Sequence, residues 1–377
     1  MIPAGACFDN ASPMPTAAFR AAASSSFANR WASVSGWTSA LSYGDVAAEY
    51  DALSRSAGLV DLGCFARLRV WGPDAAAFLE RLTTTSAARL TPGMGVPGLI
   101  CDEDGRVVDT VSVRRLEDDA FLLTMTAPRA RRLGLSARGF NVSYDDVTAS
   151  AGALGVFGPK ASEVLSEAGF GAPDPVRGVQ KTVRGVNVAV SPDALGPVKG
   201  WSLIFAGEET LAIWDRLTSR GLLPVGLDAV DALRLEAGAP RLGADFVGAD
   251  DAVRYEDART PFEVRLGALA PLEASWFNGR GAVRARAAQP RRRALLPLKV
   301  SGAEPVDGGP VFAEARIIGV VASSAYSPRF RCVLALADID AGFAERRRFE
   351  VGAPKARTGA RIAAEQYDPA SEDEDNA

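Results

Sequence analysis

Apolar positions along this chain recur in two rhythms. Over residues 46–59, VAAEYDALSRSAGL, they return every three or four positions. That spacing predicts a helix with Asp45 as its N-cap and Gly58 near its end. Residues 59–70, LVDLGCFARLRV, shift toward alternation and predict a strand. Gly72-Pro73-Asp74 then opens a second helix, AAAFLERL, through Leu82. Strand-like runs at 93–113 flank a turn at 102–105. FLLTMT at 121–126 predicts a buried strand, and 128–135 a short basic helix. The same grammar then restarts. Residues 153–157 predict a strand, Gly158-Pro159 follows, and KASEVLSEAG predicts a helix ending at Gly169. Short strands at 186–190 and 201–205 and a helix at 211–219 complete the second cycle. Two strand, Gly-Pro, helix cycles point to two related α+β units.

Composition changes near Gln289, where Pro290-Arg291-Arg292-Arg293 marks a basic joint. Beyond it, short apolar runs at 295–300, 310–312, 316–322 and 332–336 predict a small all-β domain. The expected organisation is an irregular arm at 1–30, α+β units at 31–150 and 151–288, a β-barrel at 289–366, and an acidic disordered tail at 367–377.

One segment breaks the pattern. In GLDAVDALRLEAGAPRLGADF, residues 226–246, helical spacing is interrupted by Arg234 and Glu236 before Gly238 and Pro240 stop the helix. Charges on a core-facing helix cost desolvation unless they are paired or meet a charged ligand. Both readings stand at this point: a structural ion pair, or a ligand carboxylate held by Arg234.

Charge and composition mainly exclude. The 377 residues carry 42 basic and 46 acidic side chains, a net charge of -4, which gives no electrostatic footprint for nucleic acid or anionic membrane. No apolar run approaches the ~20 residues that span a bilayer. The N-terminus does not read as a signal peptide, so the cytoplasm is the expected location. Four isolated cysteines and no histidine argue against structural zinc and exclude Ser-His-Asp, Cys-His and imidazole chemistry. Proton transfer falls to Asp, Glu, Tyr, Cys, Lys, water or substrate. None of the five lysines lies in a P-loop context.

The segment at 226–246 resembles the LRLEAG…LxGxD signature of the aminomethyltransferase family, the T protein of the glycine cleavage system and its folate-binding relatives. The resemblance extends over roughly residues 30–365. Asp104-Gly105-Arg106-Val107-Val108-Asp109 resembles the family's turn and strand ending in paired aspartates. Thr260-Pro261-Phe262-Glu263 resembles its TPxE element, and Phe277-Asn278-Gly279-Arg280 its FxGR turn. Ile318-Gly319 with Ser323-Ser324-Ala325-Tyr326-Ser327-Pro328 resembles the IGxxTSGxxSP signature of its C-terminal barrel. The family fold so implied is a three-domain cloverleaf around a central channel that holds tetrahydrofolate.

By this resemblance Asp109 is the aspartate acting near the folate N5/N10 region, and Arg234 meets the folate glutamate carboxylate. A carboxylate can orient a nitrogen and stabilise an iminium-like state, and a guanidinium fork suits a carboxylate. Alternation places Asp109 on one face with Val107 and Val111, hence inward and with a raised pKa. Thr110, in the place of the second aspartate, points to the other face. Glu236 is expected to orient backbone or Arg234. Departures cluster at the pterin end. Ser202 stands where the family's pterin-binding glutamate would be, Pro97 replaces an aromatic, and Cys64 replaces a histidine. Trp201 and Tyr326 are candidates for stacking surface or for core packing.

The implied activity is transfer of a one-carbon group to tetrahydrofolate, from an aminomethyl group on a lipoyl carrier protein or from a methyl donor. The alternative is a non-catalytic folate-binding relative of the iron–sulfur maturation type, or a paralogue binding another small molecule. The former group carries a KGCYxGQ motif, and the cysteine is absent from Ser275-Trp276-Phe277-Asn278-Gly279-Arg280 here.

Overall fold

The structure, a computed structural model, describes residues 14–15, 30–273, 276–353 and 356–363. The acidic tail at 367–377 and most of the N-terminal arm lie outside these residues. A small sheet opens the chain, in which β1 (Met14–Pro15) and β2 (Arg30–Val34) flank β3 (Trp37–Ser42). Helix α1 (Val46–Arg55) begins where expected, with the Asp45 carboxylate accepting from the N–H groups of Ala47 and Ala48.

The single strand expected over 59–70 is two. Strand β4 (Gly58–Asp61) and β5 (Ala66–Trp71) belong to different sheets. Between them the Asp61 side chain accepts from Gly63 N–H at 2.7 Å, an Asx-type turn that the apolar pattern hides. The buried Arg67 guanidinium pins the crossover, donating to Leu62 O at 2.9 Å and Thr148 O at 3.0 Å.

The first unit continues through α2 (Ala75–Leu82), β6 (Gly95–Cys101), β7 (Val107–Glu117), β8 (Ala120–Met125), α3 (Ala130–Ser136) and β9 (Ser143–Asp146). Its sheet runs β6-β7-β8-β5-β9. The second unit comprises β10 (Ala151–Phe157), α4 (Ala161–Leu165), β11 (Val179–Val183), β12 (Val186–Leu195), β13 (Val198–Ala206), α5 (Thr210–Thr218) and β14 (Leu223–Val225). Its sheet runs β11-β12-β13-β10-β4-β14. With β4 taken as an insertion, the two orders correspond strand for strand, so the repeated grammar is a repeated topology. The Gly-Pro step is the same corner in both. Gly72 and Gly158 have φ of 129° and 125°, and a Cβ there would lie 2.7 Å from Asn141 O and 2.5 Å from Ser56 O.

Helix α6 (Leu227–Glu236) leads out of the second unit, and α7 (Arg280–Ala287) precedes the C-terminal strands. These are β15 (Arg293–Val300), β16 (Pro310–Ala313), β17 (Arg316–Ser327), β18 (Cys332–Asp340), β19 (Arg348–Ala353) and β20 (Ala356–Ile362). They close a barrel in the order β15-β18-β17-β16-β19-β20. The continuous apolar run of β18 has a cause. Val333, Ala335, Ala337 and Ile339 fill the barrel, while Leu334 and Leu336 face outward into a cluster with Leu99, Val107 and Leu235. Each such leucine buried contributes about 1.5–3 kcal/mol, so the barrel is docked against the first unit and α6. The expected α+β fold with a small C-terminal barrel is therefore what the chain adopts. Arg293, at the end of the expected basic joint, donates Nε to Asp338 at 2.9 Å and fixes the barrel's first strand.

Candidate functional site

Helix α6 is set in place by a buried carboxylate. Glu49 of α1 accepts from Gly226 N–H at 2.8 Å with one oxygen, and from Tyr43 N–H and Ser42 Oγ at 2.7 and 2.9 Å with the other. The start of α6 is thereby tied to β3 and α1. Gly226 has no side chain because β3 leaves no room, since a Cβ would sit 2.3 Å from Leu41 O.

The two charged residues that interrupt α6 both reach the barrel strand β17. Arg234 Nη2 donates to Ser323 Oγ at 3.0 Å. Its Nε meets Asp231 at 2.6 Å, and its Nη1 meets Asp245 at 2.7 Å and Ala239 O at 3.2 Å. Ser323 Oγ donates in turn to Asp245. Glu236 accepts from Ser327 Oγ and from Tyr50 Oη, the latter at 2.8 Å. It does not orient Arg234. Burial pushes the Glu236 carboxyl up, and these two hydroxyl donors work against that shift. Segments some ninety residues apart, LRLEAG and SSAYSP, thus form one hydrogen-bonded wall.

That wall borders a cavity of about 640 Å³ at the junction of β3, α1, α6 and the barrel. Its lining includes Arg30, Asp228, Arg234, Arg241, Asp307 and Tyr326. Tyr326 is 42% exposed, so its ring is surface for the cavity and not core. Arg30 pairs with Asp228, and Arg241 Nη2 meets Asp231 at 3.0 Å.

The other predicted residues lie elsewhere. Asp109 does not line this cavity. It is fully buried on β7, where it accepts from Thr126 N–H at 3.1 Å and from Arg129 Nε at 2.7 Å. Arg129, in the left-handed region at φ 45°, bridges on to Asp251 at 2.8 Å. Burial raises the Asp109 pKa, and the Arg129 charge and hydrogen bonds oppose the rise. The strand face differs from expectation in one respect. A bulge opposite Ile100 and Cys101 takes in Val108, so Val108 and Val111 join the first unit's core while Val107 joins the cluster beneath the barrel. Simple alternation assigned Val107 to the Asp109 face, and the bulge reverses that.

Ser202 and Trp201 lie on β13. Ser202 Oγ is 3.5 Å from Ser191 O, and Trp201 Nε1 donates to Asp174 O at 3.2 Å while its ring packs on the second unit's core. Asp193 stands opposite Gly200, two positions along from the Ser191–Ser202 pair and on the same face. The tip of this hairpin touches α6, since a Cβ on Gly196 would lie 3.3 Å from the Arg234 Cα. Pro97 is an exposed position of β6. The Cys64 thiol is buried, and burial pushes it up to about 11. Arg129, Asp193, Arg241 and Asp245 escaped the sequence reading. Arg241 and Asp245 do lie inside the 226–246 segment, where the pattern posed the choice between an ion pair and a ligand carboxylate for Arg234 alone.

Two α+β units in a common topology, a docked barrel and a cavity walled by α6 and β17 define a three-part fold. The GCVT N-terminal domain model matches residues 23–260, and the glycine cleavage T-protein C-terminal barrel domain model matches 291–368. The chain belongs to the glycine cleavage T-protein family. It is 31% identical over 321 residues to an aminomethyltransferase of Streptomyces coelicolor, covering 81% of this chain and 84% of that one. It is 29% identical over 331 residues to an aminomethyltransferase of Deinococcus deserti, covering 84% and 86%. The crystal structure of glycine cleavage system aminomethyltransferase T from Bartonella henselae superposes with a TM-score of 0.82 at 23% identity, over 94% of this chain and 97% of that one, a likeness of fold. Among the described residues, no helix is long and apolar enough to cross a membrane.

Proposed function

We propose that this chain is a one-carbon transferase that uses tetrahydrofolate as acceptor, with an aminomethyl group on a lipoyl carrier protein, or a methyl group on a small molecule, as donor. The observation that carries this reading is the cavity between α6 and β17. Its volume of about 640 Å³ lies within the range of small-molecule sites. Its wall joins the two family signatures, and it offers what the tail of a folate requires: guanidinium groups for carboxylates and an exposed aromatic ring, Tyr326, for an aryl group.

Tetrahydrofolate would supply the nucleophilic nitrogen. The protein's part is binding and charge placement. Asp109 is fixed by Thr126 N–H and Arg129, which oppose the rise that burial imposes on its pKa, and its role in this reading is electrostatic support of a cationic centre and orientation of a nitrogen. Arg234 holds the cavity wall to the barrel through Ser323, and Glu236 does so through Ser327. With no imidazole in the chain, Asp109 is the carboxylate proposed to accept a proton.

One observation favours the binding-only relative. Both Asp109 oxygens are engaged within the protein and neither is exposed. Turnover separates the readings. Calorimetric titration with tetrahydrofolate should show one site per chain, and absence of binding overturns the proposal. If folate binds, Asp109→Asn should abolish transfer and leave affinity near wild type. Folate binding without any transfer from either donor class would leave the binding-only reading standing.

A further inference from the structure

The two arginines contributed to the cavity by the segment after Gly226 are not equivalent. A guanidinium has five N–H donors. Arg234 uses four of them inside the protein, on Asp231, Asp245, the Ala239 carbonyl and Ser323. Arg241 makes one side-chain bond, from Nη2 to Asp231 at 3.0 Å. Its Nε–H and both Nη1 hydrogens have no protein acceptor among the described residues, and its side chain is 23% exposed on the cavity wall. The backbone beneath it is fixed, because Arg241 N–H donates to Asp245 at 2.6 Å.

The carboxylates next to Arg241 are already paired. Arg234 and Arg241 together balance Asp231 and Asp245, and Arg30 balances Asp228. The remaining carboxylate of the lining, Asp307, accepts from Ser324 Oγ at 2.9 Å. A ligand carboxylate placed on the open side of Arg241 therefore gains charge-assisted hydrogen bonds without displacing an existing pair. Arg234 has a single N–H left, so a carboxylate received there through both oxygens would have to break an existing bond of the buried cluster.

We propose that Arg241, and not Arg234, is the residue that receives a ligand carboxylate in this cavity. With the folate reading, on which this choice of ligand rests, the group received is the glutamyl carboxylate of the tail.

The test compares wild type, Arg241→Gln and Arg241→Lys against three probes by calorimetry and ligand-observed NMR. These are tetrahydrofolate, tetrahydropteroate, which lacks the glutamate, and p-aminobenzoylglutamate, which lacks the pterin. Arg241→Gln should weaken tetrahydrofolate and p-aminobenzoylglutamate about tenfold to a hundredfold and leave tetrahydropteroate unchanged. Arg241→Lys, which keeps the charge but not the fork, should fall between. If p-aminobenzoylglutamate does not bind wild type, or binds Arg241→Gln equally well, the assignment to Arg241 is overturned whatever tetrahydrofolate does. If that fragment binds through Arg241 while tetrahydrofolate does not bind, the folate reading falls and the carboxylate site stands.

Discussion

Asp109 and Asp245 are both carboxylates without exposed side-chain surface, and each is met by an arginine nitrogen at 2.7 Å. What surrounds the two pairs differs. Arg129, the partner of Asp109, is itself withdrawn from water and continues to Asp251 in the segment after α6, away from the cavity lining. Arg234, the partner of Asp245, lies on a cavity wall and is linked through Asp231 to a second arginine with open donors. The same pairing thus does two jobs. In the first unit it opposes the rise that burial imposes on a carboxylate's pKa, and beside the barrel it builds a charge-balanced wall of the cavity. Residue type alone does not separate these jobs; the number of donors left over does.

The comparison breaks most sharply at Arg129. Arg129→Ala leaves a fully buried carboxylate with one backbone donor, and should cost about 3–5 kcal/mol in urea unfolding. A loss below about 1 kcal/mol would mean that Asp109 is not held as an ion pair. Arg234→Ala should cost less, about 2–3 kcal/mol, because Asp245 keeps the Arg241 N–H and the Ser323 hydroxyl while Asp231 keeps Arg241. Equal losses in the two variants would remove the distinction between a sealed and an open cluster.

Much of the architecture could be read in advance because it is written locally. The Asp45 cap, the two Gly-Pro corners and the short barrel strands each rest on neighbouring residues. What failed was non-local. Leu59 to Val70 looks continuous because every residue of β4 is buried, and the break after Asp61 shows only when β10 pairs with β4. The Val108 bulge depends on register with β6, which alternation within β7 does not contain. The wall of the cavity was half legible: Arg234 and the SSAYSP strand were each visible, but their meeting at Ser323 and Ser327 needed the fold. Arg241 was hidden because a single arginine after a helix stop ordinarily reads as solvated surface.

Tyr326 sharpens the contrast from the ligand side. Tyr326→Ala should leave stability within about 0.5 kcal/mol, since the ring is 42% exposed, while weakening tetrahydrofolate by about 0.5–1.5 kcal/mol in calorimetry. A drop in stability with unchanged affinity would make the ring a packing element.

The smallest effect is a slope with pH. Burial raises the Asp109 pKa above its ordinary 3.8, so the folded state holds that proton more tightly than the unfolded chain. The charged carboxylate's penalty is absent in acid, where both states are protonated, and grows as pH rises through the folded value. Wild type should therefore lose stability relative to Asp109→Asn across that window and run parallel to it above. A wild type that gains on the variant as pH rises would show that Arg129 outweighs burial.

Hydrogen exchange of the wild-type protein with and without tetrahydrofolate tests most directly whether the cavity beside the barrel is the folate site. Ligand should slow exchange at the amides from Arg234 to Gly238 and from Ala322 to Ser327, the two segments that form its wall. Saturating tetrahydrofolate that leaves both segments unchanged would contradict the account.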